Sequence, residues 1–74
     1  MKQIIECVPN ISEGRDEDKI RIISQIVEDI DGVKLLNVDP GKATNRTVIT
    51  FVGEPQAVID AAFLLIQKAQ ELID

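Results

Sequence analysis

Two short segments hold most of the residues in this chain that can do chemistry. One is Glu6-Cys7-Val8-Pro9-Asn10-Ile11-Ser12-Glu13-Gly14, the other Asp39-Pro40-Gly41-Lys42-Ala43-Thr44-Asn45-Arg46-Thr47-Val48. Each follows a strand-like run, and loops at strand ends are where α/β domains bind small molecules. In the first, Asn10 can hydrogen-bond a carboxylate or an amide, and Gly14 allows a close backbone approach. The plainer alternative is a turn in which Asn10 and Ser12 satisfy their own backbone. In the second, Arg46 can clamp a carboxylate with two parallel hydrogen bonds, and Asp39 can hold an amino or amidine nitrogen. A substrate resembling an amino acid, with carboxylates and one cationic nitrogen, would suit that pairing. The competing reading is an Asp39–Arg46 ion pair across a hairpin mouth, contributing about 1 kcal/mol or less if exposed.

Other chemistry is poorly supported. The chain has no histidine and one cysteine, Cys7. That excludes the usual metal-ligand clusters and leaves the thiol without an imidazole to activate it, so Cys7 reads as structural. Gly41-Lys42 lacks both the spaced upstream glycine and the following Ser or Thr of a phosphate loop.

The elements that must position these loops follow from periodicity. Lys2 to Val8 reads as a strand closed by Pro9. Asp16, followed by Glu17 and Asp18, starts a helix whose stripe is Ile20, Ile23, Val27 and Ile30, widened by Ile22 and Ile26. Asp31-Gly32 ends it. Val33 to Asp39 is a second strand, and Thr47 to Val52 a third. Between them lies an enlarged hairpin loop from Pro40 to Asn45. Gly53-Glu54-Pro55 opens a second helix with Val58, Ala61, Ala62, Leu65, Ala69 and Leu72 as its stripe. Gly32 and Gly53 read as caps. Ile59, Phe63 and Ile66 extend the helix's apolar surface beyond one face.

This β-α-β-β-α order predicts an α+β, ferredoxin-like sandwich, with both helices on one face of a small mixed sheet and a final strand missing. The first and second strands, joined by a crossover, should run parallel and right-handed. One pattern resists that plan. The third strand is apolar on both alternating faces, with Ile49 and Phe51 on one and Val48 and Val52 on the other. Two helices cannot cover both sides, so more chain or a partner is expected over the second face.

Seventy-four residues make one domain, with a net charge of -5 and only Phe51 and Phe63 as aromatics. The core must be aliphatic, and a chain this short is marginal without help. Scattered basic residues under a negative net charge argue against nucleic-acid binding. The lone cysteine, and the lack of an apolar leader or membrane-length run, predict a cytoplasmic protein without membrane partners.

The whole stretch from Ile4 to Asp74 resembles the N-terminal subdomain of glutamate formiminotransferase. Its most specific features are Glu6 to Gly14, Thr44-Asn45-Arg46-Thr47-Val48 and Thr50-Phe51-Val52-Gly53. The resemblance implies one-carbon transfer in histidine degradation: a formimino group moves from N-formiminoglutamate to tetrahydrofolate, the co-substrate. It further implies two subdomains facing each other across a cleft, with Asn10, Asp39, Gly41, Thr44, Asn45 and Arg46 lining the substrate side. That family's general base is a histidine in a His-Lys-Gly-Glu-His-Pro-Arg-like motif, which follows the segment matching Leu72-Ile73-Asp74. These 74 residues stop short of it. The expectation is therefore a subdomain that supplies part of the site, has no catalytic residue of its own, binds folate weakly and needs the missing C-terminal portion or second subdomain. The alternative is a stand-alone amino-acid-binding or dimerisation module, working as a homodimer.

Overall fold

The computed structural model of the chain describes residues 3–73. A single central strand organises it. β4 (Arg46–Gly53) pairs along one edge with β3 (Val33–Gly41). Along its other edge it pairs first with β1 (Ile5–Cys7) and then with β2 (Asn10–Ile11), so β1 and β2 are consecutive pieces of one interrupted strand. Two helices, α1 (Glu17–Glu28) and α2 (Pro55–Leu72), complete the β-α-β-β-α order. This is the expected α+β, ferredoxin-like arrangement. β1 and β3 both run antiparallel to β4, hence parallel to each other with β4 between them. The sheet, expected to be mixed, is antiparallel at every strand pair among the described residues, because β4 lies between the two parallel strands.

The helices form where their caps and stripes predict. The Asp16 carboxylate accepts from the backbone N–H groups of Asp18 and Lys19, and so satisfies donors that have no partner within the helix. Glu54 is the N-cap of α2 and Pro55 stands in its first turn, where a missing N–H costs nothing. Both helices pack on the face of β4 that carries Thr47, Ile49 and Phe51, each fully buried. Ile23 and Val27 of α1 and Val58, Ala61 and Leu65 of α2 close over them. Burying the Val, Ile, Leu and Phe side chains among these contributes about 1.5–3 kcal/mol each, and this mainly aliphatic layer around Phe51 holds the sheet to the helices.

Three further details differ from expectation, and each has a backbone reason. Pro9 interrupts the first strand without ending it. It has no N–H to give, but its carbonyl accepts from Ile49 N–H at 3.0 Å, and pairing resumes at Asn10. The Lys2 end of that predicted strand lies outside the described residues. Pro40 and Gly41, read as loop, are the end of β3, opposite Thr47 and Arg46. β3 pairs with β4 alone, and an edge strand tolerates proline when its N–H side faces outward. The connection thus shrinks to the four residues 42–45, with Asn45 at φ 53°. Third, Gly53 is no cap. It lies at the end of β4, and a Cβ there would stand 2.2 Å from the Gly32 carbonyl oxygen, so only glycine lets the two backbones meet. Gly32, by contrast, takes the left-handed conformation (φ 88°) just after α1.

Candidate functional site on the open sheet face

Residues directly opposite one another in a ladder share a face, so the register states which side chains assemble on the side away from the helices. On β4 that side carries Arg46, Val48, Thr50 and Val52, alternating with the buried set. Asn10 and Asp39 lie on either side of Val48. They are two strand spacings apart, roughly 10 Å. Gly41 is opposite Arg46, one row nearer the hairpin. The diagonal from the Arg46 position to Asp39 is about 7–8 Å. Four of the six candidate residues, Asn10, Asp39, Gly41 and Arg46, therefore share one patch of the open face. Asn10 and Gly41 were expected in loops, but all four are in strands.

Thr44 and Asn45 belong instead to the hairpin tip. The Thr44 hydroxyl donates to the Gly41 carbonyl, and Asn45 Oδ1 accepts from Gly14 N–H at 3.0 Å. That second bond is one of three involving side chains that join residues 13–15 to residues 42–47, beside the β2–β4 ladder. Arg15 Nε donates to the Lys42 carbonyl at 2.9 Å, and the buried Thr47 hydroxyl donates to the Glu13 carbonyl. Gly14 is the tightest point of this junction. A Cβ there would lie 2.4 Å from Gly41 O, 2.6 Å from Arg46 N and 2.7 Å from Arg46 O. The close approach for which this glycine is needed is thus to the chain's own hairpin.

Asp39 and Arg46 do not pair. The ion pairs among the described residues, Arg21–Asp18 and Lys68–Glu71, lie on the helices. Both open-face groups are exposed, leaving an anion binder and a cation binder side by side and available. The same register adds residues that loop-based reasoning passed over. Asn37 is opposite Thr50, and Glu6 and Lys34 flank Val52. The signal was the two-residue step from Asp39 back to Asn37 and from Val48 on to Thr50. It was obscured by a bulge at Leu36, where β3 carries one extra residue between its Leu35 and Asn37 pairings. Cys7, opposite Phe51, packs half-buried against the core. Among the described residues no group of three or more His, Cys, Asp or Glu side chains could hold a metal ion. No described helix is long and apolar enough to cross a membrane.

Glu13 anchors the first loop. Its Oε2 accepts from Arg15 N–H and Asp16 N–H, and these bonds hold its carboxyl below the usual carboxylate range. A depressed folded-state value means the stabilisation is present above the ordinary glutamate range and fades as pH falls through the lowered value. Glu13→Gln should therefore melt lower than the parent near neutral pH, and the gap should close in acid. Parallel melting curves from pH 7 down to pH 2 give the comparison. A pH-independent gap would count against an ionic origin.

An arrangement of Asn10, Asp39 and Arg46 on a rigid, uncovered sheet suits a small zwitterionic or dicarboxylic ligand. Comparison with known proteins gives the family. Residues 4–74 match the model described as "Formiminotransferase domain, N-terminal subdomain". The chain belongs to the formiminotransferase N-terminal subdomain family. It is 51% identical over 74 residues to a formimidoyltransferase-cyclodeaminase of Dictyostelium discoideum, covering all of this chain and 14% of that protein. It is 46% identical over 71 residues to a glutamate formimidoyltransferase of Thermoplasma acidophilum, covering 96% of this chain and 23% of that protein. A glutamate formimidoyltransferase of Streptococcus pyogenes serotype M1 is 40% identical over 74 residues, which make up 25% of its length. The chain thus spans a quarter or less of the length of these relatives.

Proposed function

We propose that this formiminotransferase subdomain forms one wall of the site where a formimino group passes from N-formiminoglutamate to tetrahydrofolate. The observation carrying this reading is the convergence of Asn10, Asp39 and Arg46 on a sheet face that neither helix covers. Arg46 would bind a substrate carboxylate, Asp39 the cationic formimino nitrogen, and Asn10 a second carboxylate or amide oxygen. Gly41, opposite Arg46, and the hairpin-tip residues Thr44 and Asn45 would border the same substrate side.

In the transfer, a folate nitrogen attacks the formimino carbon and a new C–N bond forms. The bond from that carbon to the glutamate nitrogen breaks, and the proton from the folate nitrogen ends on the departing amine. Histidine is the natural shuttle for such a proton near neutral pH, and these 74 residues contain none. The wall binds and orients; a histidine proton relay would come from outside these 74 residues. Tetrahydrofolate is accordingly a co-substrate of the assembled site and a poor ligand for this wall alone.

The test is reconstitution. The 74-residue chain incubated with N-formiminoglutamate and tetrahydrofolate should give no product above background. Mixing it with the separately produced remainder of a relative such as the Thermoplasma acidophilum protein should restore formation of 5-formiminotetrahydrofolate and glutamate. Enzyme-like turnover by the chain alone would sink the division of labour. Failure of the mixture, with both pieces folded and associated, would sink the substrate assignment.

A further inference from the structure

The residues immediately before and after Arg46 are both bonded to the first motif segment. Asn45 Oδ1 accepts from Gly14 N–H at 3.0 Å, and the Thr47 hydroxyl donates to the Glu13 carbonyl. Between those two bonds Gly14 lies so close that a Cβ on it would stand 2.6 Å from Arg46 N and 2.7 Å from Arg46 O. The Arg46 backbone is thus gripped at three points by residues 13 and 14, while its side chain stays exposed on the open face.

Packing and turn geometry alone do not call for either side chain. Thr47 is 0% exposed in a row whose other buried members are Ile49 and Phe51, where valine would offer the same branched shape. The other buried polar residue among those described, Ser24, gives its hydroxyl to the Ile20 carbonyl of its own helix. The Thr47 hydroxyl reaches a loop 34 residues away in sequence instead. Asn45 sits at φ 53°, a left-handed conformation that glycine adopts without strain. What asparagine adds there is the acceptor that meets Gly14 N–H.

We propose that Asn45 and Thr47 are positioning residues for Arg46: by fixing its backbone against residues 13 and 14, they aim the guanidinium at the substrate carboxylate. This rests on the carboxylate-binding role given to Arg46 above. A planar fork binds with two parallel bonds only when its orientation is right, so a shifted anchor loses affinity even though the charge remains. Asn45 and Thr47 therefore serve the site through Arg46, and their worth to binding should vanish when the Arg46 side chain is absent.

The experiment is a set of double-mutant cycles in the reconstituted transferase, with circular dichroism as the folding control. Thr47→Val and Asn45→Gly each release one grip, and Thr47→Ser keeps the hydroxyl. The first two should each raise the KM for N-formiminoglutamate roughly tenfold and leave that for tetrahydrofolate near the parent's, while Thr47→Ser stays close to the parent. In an Arg46→Ala background the same two changes should alter that KM by less than about twofold, since no guanidinium is left to aim. Should Thr47→Val fail to fold, Asn45→Gly, at a half-buried position, carries the comparison. Nitrogen-15 relaxation on the 74-residue chain reads the grip without any activity. The order parameter of the Arg46 backbone N–H should be about 0.85 in the parent, fall toward about 0.6 in Thr47→Val and Asn45→Gly, and recover in Thr47→Ser. Equal rises in KM with and without the Arg46 side chain would overturn the positioning role and leave Arg46 as a binder. An Arg46 order parameter that no substitution moves would do the same. If Arg46→Ala itself leaves the KM unchanged, the binding role of Arg46 falls, and the positioning role falls with it.

Discussion

Replacing Gly14 by alanine is expected to unfold much of the chain's population, although it adds one methyl group. The new Cβ would meet three backbone atoms at 2.4–2.7 Å, belonging to Gly41 and Arg46. Backbone cannot rotate away as a side chain can, so the two loops must separate. That would break the Gly14 N–H to Asn45 bond and disturb the neighbouring Thr47 to Glu13 and Arg15 to Lys42 bonds. Overpacking of this kind costs about 3 kcal/mol before lost hydrogen bonds are counted. Against a total of roughly 4–11 kcal/mol for a domain of this length, that is a large fraction. Gly41→Ala is the control. Its Cβ would meet the Thr44 side-chain oxygen at 3.0 Å and Arg46 O at 3.4 Å, a contact relieved by one rotamer change. Urea unfolding should show a clearly lowered midpoint for Gly14→Ala and a much smaller shift for Gly41→Ala. Equal midpoints for Gly14→Ala and the parent would mean that the junction yields more easily than its geometry indicates.

This junction also shows where sequence reasoning stops. Asp16 and Pro55 announced the two helix starts because caps act locally, within three residues of themselves. The doubly apolar third strand signalled a second face that the two helices leave open, since Thr47, Ile49 and Phe51 are buried while Val48 and Val52 lie half-buried on that open side. Strand ends were misread because proline acts through its partner's geometry, which a sequence does not display. Pro9 still accepts a bond from Ile49, and Pro40 is harmless on an edge. The same limit applied to the site. Asn10, Asp39 and Arg46 were identifiable as residue types, but that they share a face depends on a register set by long-range pairing. Asn37 and Thr50 needed the bulge at Leu36 as well, because Val33, Leu35 and Val38 face inward only if one residue is skipped. Thr44 and Asn45 looked like binding residues, yet their hydrogen bonds among the described residues are to the chain's own backbone.

Arg46 is where the binding reading and the structural reading diverge most in measurable terms. Its side chain is exposed, and no ion pair holds it among the described residues. Arg46→Ala should therefore shift the unfolding free energy by no more than about 0.5 kcal/mol. In the reconstituted transferase the same change should remove a bidentate, charge-assisted contact to a substrate carboxylate. Hydrogen bonds to charged groups contribute about 1.5–3 kcal/mol, so the loss corresponds to roughly 10- to 10²-fold in transfer efficiency. Arg46→Lys keeps the charge but not the planar fork, and should recover only part of it. Because the contact is to the amino-acid substrate, the KM for N-formiminoglutamate should rise while that for tetrahydrofolate stays near the parent's. Asp39→Asn probes the opposite charge one row away on the same face and should weaken N-formiminoglutamate binding without altering the melt. The hairpin-mouth alternative predicts the reverse pattern, with both variants slightly less stable and fully active. Full transfer by Arg46→Ala would therefore take the binding role away from this face, even with the family membership secure.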